Sequence, residues 1–148
     1  MEALEKAAKN GEEELLSEIF DQLEQKDRIV PKRILSTMLF TTVNECNSTA
    51  KIEGHVACLN TLISKGANIN AEKSGGANIL MLACSKGFLE LVTEIMNQKS
   101  ENGIFMHHCD KNDKNYLHYA IDTEAENLDI VKLLINEGIN INGQSINK

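Results

Sequence analysis

Gly54-His55-Val56-Ala57-Cys58-Leu59-Asn60-Thr61-Leu62-Ile63 lies 33 residues before Gly87-Phe88-Leu89-Glu90-Leu91-Val92-Thr93-Glu94-Ile95-Met96. Each stretch opens on a glycine and a bulky residue. Apolar side chains follow at 58, 59, 62 and 63 in the first and at 91, 92, 95 and 96 in the second. That spacing lays one apolar stripe along a short helix. A second echo, Gly66-Ala67-Asn68-Ile69-Asn70 against Gly138-Ile139-Asn140-Ile141-Asn142, is 72 residues apart, which is two 33-residue periods plus six inserted residues. Four of the six fall within Asn97–Cys109 and two between Ala120 and Ile130, so the arithmetic closes. A period of this size marks stacked units, each too small to bury its own apolar stripe.

The N-terminal segment fits the same frame. Leu4, Ala7, Ala8 and Gly11 match Leu80, Ala83, Cys84 and Gly87, and Leu15-Leu16 with Ile19-Phe20 match Leu91-Val92 with Ile95-Met96. Small residues at 7, 8, 83 and 84 let paired helices approach closely. Gly11 and Gly87 end the first helix of a pair, since glycine enters left-handed conformations cheaply. Ile34-Leu35-Ser36-Thr37-Met38-Leu39 reads as a further first helix, but about twelve residues (Thr41–Ile52) separate it from Gly54 beyond the usual spacing. Either that helix runs on by some three turns or a loop bulges there.

These residues together resemble the ankyrin-repeat family. The match rests on Leu4, Ala7-Ala8 and Gly11; on Gly54-His55 and Gly66–Asn70; on Gly76, Leu80, Ala83 and Gly87; and on Asp110, Leu117-His118, Ala120, Ile130-Val131, Leu133-Leu134 and Gly138. The resemblance implies an all-α solenoid of stacked helix-turn-helix units with projecting hairpin-like loops. It gives one domain over 1–148, with repeats at about 1–29, 30–72, 73–109 and 110–142, and 143–148 starting a further unit or forming a tail. The family's Thr-Pro before the first helix is Asn78-Ile79 and Asn115-Tyr116 here; asparagine still supplies a capping oxygen. The glycine expected before Asn127 is Glu126.

Composition bounds the function. The 148 residues carry a net charge of −7, which argues against general nucleic-acid binding, because phosphate contacts need clustered Lys and Arg. Residues 1–27 hold nine acids and three bases, net −6, expected as the solvated outer face of a first helix pair. No apolar run approaches 18 residues, so no membrane span is expected. Cys46, Cys58, Cys84 and Cys109 form no CxxC pair, and reduced thiols in a cytoplasmic or nuclear compartment are expected. Irregular arrays rich in Asn and Lys also resemble those of secreted effectors, for which the compartment would be a host cytosol.

The resemblance implies a non-catalytic protein-interaction module (adaptor, inhibitor or docking arm), with no cofactor and an unidentified protein partner. A monomer is expected. The partner-binding positions it points to are Ser74, Gly75 and Ala77 at one loop tip with Leu82 and Ser85 behind. The next repeat adds Lys111, Asn112 and Lys114 at its tip, with Tyr119, Asp122 and Thr123 behind. Tyr119 is the anchor candidate, for its large contact area and polar handle. Its alternative is packing against the neighbouring repeat. His118 is read as a structural tie, and so is His55, which with Gly54 fits the family's Gly-His turn. Asn70 and Asn142 resemble asparagines that 2-oxoglutarate-dependent hydroxylases modify in ankyrin proteins; bracing the loop is their alternative role. His107-His108-Cys109-Asp110 is dense in ligand types, but adjacent residues rarely hold one ion, and no metal is assigned. No nucleophile motif or phosphate loop is present.

After Asn142 only six residues remain, and no helix pair is left to cover Ile130, Leu133 and Leu134. The chain is therefore expected to be the N-terminal part of a longer protein, or an array whose fourth repeat is its own cap; Met1 at the start of the first repeat suggests a natural beginning. The alternative function follows: a regulatory ankyrin region of a larger enzyme or channel whose active part lies beyond residue 148.

Overall fold

The computed structural model describes residues 1–98, 103–122, 127–139 and 141. Among these the regular structure is helical, apart from an isolated antiparallel bridge between Glu72 and Asn78. The chain divides into two compact units, Met1–Ile69 and Asn70–Lys148.

The first unit contains α1 (Glu2–Asn10), α2 (Glu13–Glu24), α3 (Lys32–Glu45), a 3-10 turn (Thr49–Lys51) and α4 (Ile52–Ser64). Leu4, Ala7 and Ala8 are the buried positions of α1, and the two alanines let it lie close to α2, α3 and α4. Gly11 ends α1 in the left-handed region at φ 72°, and the amide of Glu12 donates back to Ala7 O at 2.9 Å. The acids Glu2, Glu5, Glu12, Glu14 and Glu18 are exposed, as a solvated outer face requires. Glu13 is the exception. It accepts from Ser17 Oγ at 2.6 Å and from Thr61 Oγ1 of α4 at 2.9 Å.

Two expectations for this unit are revised. The stretch after Leu39 is partly helix and partly connection. Thr42 and Val43 are buried, extending the 35, 38, 39 apolar rhythm by one turn, so α3 runs to Glu45. Cys46 is buried and extended, and the 3-10 turn then leads into the next helix. Gly54 is no turn glycine. α4 begins at Ile52, and Gly54 sits inside its first turn against the backbone carbonyl of Gly11, where a Cβ would overlap the oxygen. His55, buried beside it, lies with Nδ1 2.8 Å from Lys51 O and Nε2 3.2 Å from Lys9 O, tying α4 to the end of α1.

The second unit contains α5 (Ile79–Lys86), α6 (Leu89–Asn97), α7 (Tyr116–Ile121) and α8 (Leu128–Asn136). α5 packs on α6 and α7, and α8 on α6 and α7. Both first helices carry the expected asparagine caps. Asn78 Oδ1 accepts from Met81 N at 3.1 Å and Asn115 Oδ1 from His118 N at 3.2 Å. The His118 ring completes a capping box by accepting from Asn115 N at 3.1 Å, a bond within its own repeat. Gly87 takes the left-handed conformation at φ 76°, as Gly11 does. Ile130 and Leu134 are buried, contrary to the expectation that they lack cover. The exposed apolar residues at this end are Ile121, Leu128, Ile135 and Ile141.

Candidate partner-binding surface

Two short loops project from the second unit, residues 73–77 and 110–114. In the first, Lys73 N donates to Ala77 O at 2.9 Å and Gly76 N to Lys73 O at 2.8 Å. Gly76 has φ 81°, and a Cβ there would lie 3.1 Å from Lys111 N. Glycine is therefore needed both for the turn and for the approach of the second loop. That approach is closed by Lys111 N donating to Gly75 O at 3.0 Å and by His108 Nε2, 2.6 Å from Gly76 O.

The second loop is organised by Asp110. Its Oδ1 accepts from Asn112 N at 2.8 Å and Lys114 N at 3.0 Å, and its Oδ2 from the Tyr119 hydroxyl at 2.7 Å. Asp110 N donates to Lys114 O at 2.9 Å, closing the turn, with Asp113 at φ 57°. Burial pushes the Asp110 carboxyl up, but the hydrogen bonds from Tyr119, Lys114 and Asn112 outweigh it and hold it below the usual carboxylate range. Burial and then Asp110 push the Tyr119 hydroxyl up to about 12.

The segment between α6 and the second loop is anchored on the first repeat of the unit. Asn70 Nδ2 donates to Gly103 O at 3.0 Å, and its Oδ1 accepts from Phe105 N at 3.2 Å. Tyr116, fully buried, donates its hydroxyl to Phe105 O at 2.7 Å and accepts from Asn78 Nδ2 at 2.8 Å. The Tyr116 hydroxyl thus joins the α5 cap, α7 and the inserted segment. Tyr116→Phe is expected to leave an amide N–H and a carbonyl without this partner and to cost roughly 1–3 kcal/mol, measured by urea unfolding; an unchanged midpoint would contradict this role.

The positions read from the sequence separate into two groups. Ser74, Gly75, Lys111, Asn112 and Asp122 are exposed, and Ala77, Leu82, Ser85, Lys114 and Tyr119 are half-buried. Lys114 Nζ donates to Asp122 at 2.8 Å; the bond raises the lysine and lowers the aspartate. Ser85 Oγ donates to Leu82 O at 2.7 Å. Tyr119 has a bracing role through Asp110, though its half-buried ring leaves a contact face. Thr123 and Asn142 lie outside the described residues. Asn70 is a loop brace through both ends of its amide, and hydroxylation there would have to accommodate those two bonds.

Sequence reasoning missed His108 and Tyr116. His108 falls in the inserted stretch, yet it reaches back 32 residues to Gly76, a pairing with no local signal. Tyr116 stands where the family has proline, and the buried hydroxyl was the available clue.

Among the described residues no group of three His, Cys, Asp or Glu side chains could hold a metal. Burial raises the Cys58 and Cys84 thiols to about 12. Burial, Asp113 and Asp110 also push Cys109 up, so these three thiols are poor nucleophiles at neutral pH. No helix among the described residues is long and apolar enough to cross a membrane.

Compared with known families, residues 47–145 match the family model described as ankyrin repeats (3 copies). Against the curated proteins the chain has no significant match.

Proposed function

Since the chain belongs to the ankyrin-repeat family, whose repeats are generally protein–protein interaction modules, we propose that it binds a partner protein through the 73–77 and 110–114 loops and the adjoining face of α5 and α7. The family is typically non-catalytic, and the proposed role is that of an adaptor, inhibitor or docking arm with no turnover of its own. One observation carries the reading. Both loops are held by backbone and buried side-chain bonds, while Ser74, Lys111 and Asn112 at their tips are exposed. Such a surface is fixed before a partner arrives, so little ordering entropy opposes binding.

A protein partner, rather than nucleic acid, is supported by the net charge of −7. A cytoplasmic setting belongs to the same proposal, supported by four cysteines that form no disulfide. Leu82, Ser85 and the Tyr119 ring would contribute contact area behind the tips.

The test is affinity capture from a cytosolic extract, comparing the native chain with a Ser74→Ala, Lys111→Ala, Asn112→Ala variant. These tips carry no bond holding the loops through their side chains, so the variant is expected to fold with an unchanged melt. Recovery of the partner is expected to fall by about tenfold or more. Equal recovery by a folded variant would move the binding surface elsewhere.

A further inference from the structure

The connection between α2 and α3 closes a small apolar cavity within the first unit. It measures about 110 Å³ and is walled by Phe20 and Leu23 of α2, Val30 of the connection and Leu35 of α3. An apolar cavity of about 150 Å³ accepts a benzene ring, so this one suits a branched aliphatic group of roughly four carbons. The charged part of its lining is Arg28, Lys65 and Glu24. The Lys65 ammonium is engaged within the chain, bonded to Glu24 and 5.5 Å above the Phe20 ring. Arg28 is exposed and, among the described residues, pairs with no carboxylate. Lys32, equally unpaired, passes beside Gly66, the residue after Lys65.

This is a local reversal of charge. Residues 1–27 hold nine acids against three bases, yet the cavity mouth sets Arg28, Lys32 and Lys65 against Glu24. Cations near helix C-termini often serve the last carbonyls, but here backbone amides already do so. Leu23 O accepts from Lys26 N and Arg28 N, Leu62 O from Ala67 N and Ile63 O from Gly66 N. Next to Val30, α3 opens without a side-chain cap and with Lys32 and Arg33 in its first turn, where an acid is favoured. A free guanidinium at the mouth of an apolar cavity fits a carboxylate that carries an apolar group.

We propose that this cavity binds the C-terminus of a peptide ending in a branched aliphatic residue such as leucine. The terminal side chain fills the cavity, and Arg28 pairs with the terminal carboxylate. Ile29 favours a peptide end over a small free acid. It lines the same site and is 92% exposed, so it offers apolar contact to residues preceding the terminal one. The site lies in the first unit and does not depend on partner binding at the loop tips.

The test is titration of the full 148-residue chain with acetyl-Ala-Ala-Leu, followed by amide NMR. The free acid is expected to shift the amides of Leu23, Arg28, Ile29 and Leu35 with a Kd of about 1 mM or tighter. The same peptide as its C-terminal amide, and isocaproate alone, are each expected to bind at least about tenfold more weakly, lacking the carboxylate or the Ile29 contact. Arg28→Gln is expected to weaken the free acid by a similar factor with an unchanged melt, since Arg28 is exposed and its side chain has no ion pair to lose. No saturable shift up to about 10 mM peptide would overturn the proposal. Equal binding of acid and amide, or undiminished binding by Arg28→Gln, would remove the carboxylate contact and overturn it too. Isocaproate binding as tightly as the peptide would assign the cavity to a small free acid instead.

Discussion

Gly54→Ala is expected to destabilise the chain by about 2–3 kcal/mol, although it replaces a glycine inside a helix. Helix propensity alone predicts the opposite sign, a gain of roughly 1 kcal/mol. Geometry decides between them. The new Cβ would fall on the carbonyl oxygen of Gly11, and the Gly11 carbonyl carbon and Cα are 3.3 and 3.6 Å from the same point. That neighbour is backbone, held at φ 72° within a turn whose flanking amides bond to Ala7 and Ala8. It cannot rotate away as a side chain could. A shift of α4 would also stretch the contacts of His55 with Lys9 O and Lys51 O. Thermal and urea unfolding would measure the change. A neutral or stabilised Gly54→Ala would show that α4 does not cross the α1–α2 turn as closely as described.

Asp110→Ala is expected to cost about 3 kcal/mol, because one carboxylate accepts two backbone amides and the Tyr119 hydroxyl. The effect has a pH signature. Asp110 ionises below its ordinary value in the folded chain, so its contribution is fully present above the unfolded carboxylate pKa, near 3.9, and drains as pH falls through the folded value. Asp110→Asn keeps one acceptor and should retain part of the stability, but with a shallower loss below about pH 4. Urea midpoints at pH 7 and at successively lower pH would show this. Parallel pH profiles for the native chain and Asp110→Asn would remove Asp110 as the organiser of the loop.

Much of the helical framework was legible because it rests on local rules. Gly11 and Gly87 read as helix stops and have positive φ. Asn78 and Asn115 read as caps and accept the expected amides. The failures came where a non-local contact overrode a local analogy. Gly54 resembles Gly87 in sequence, but in Gly54 the absent side chain serves a backbone crossing rather than a turn. Ile130 and Leu134 were expected to lack cover, while the open face falls on Ile121, Ile135 and Ile141, since helix rotation within the pair decides which apolar residues turn inward. For the candidate site, the tips were readable from their place in the repeat. The bracing by His108, Tyr116 and Asn70 was not, because those bonds join residues 32 to 38 positions apart, or tie side chains to loop backbone with no motif.

On the proposed function, a partner is held by the two projecting loops of the second unit. Hydrogen exchange of the chain alone and with its captured partner tests it most directly. Added protection is expected at residues 73–77 and 110–114, with little change along α2 (Glu13–Glu24). Protection confined to α2, with both loops exchanging as in the free chain, would contradict it.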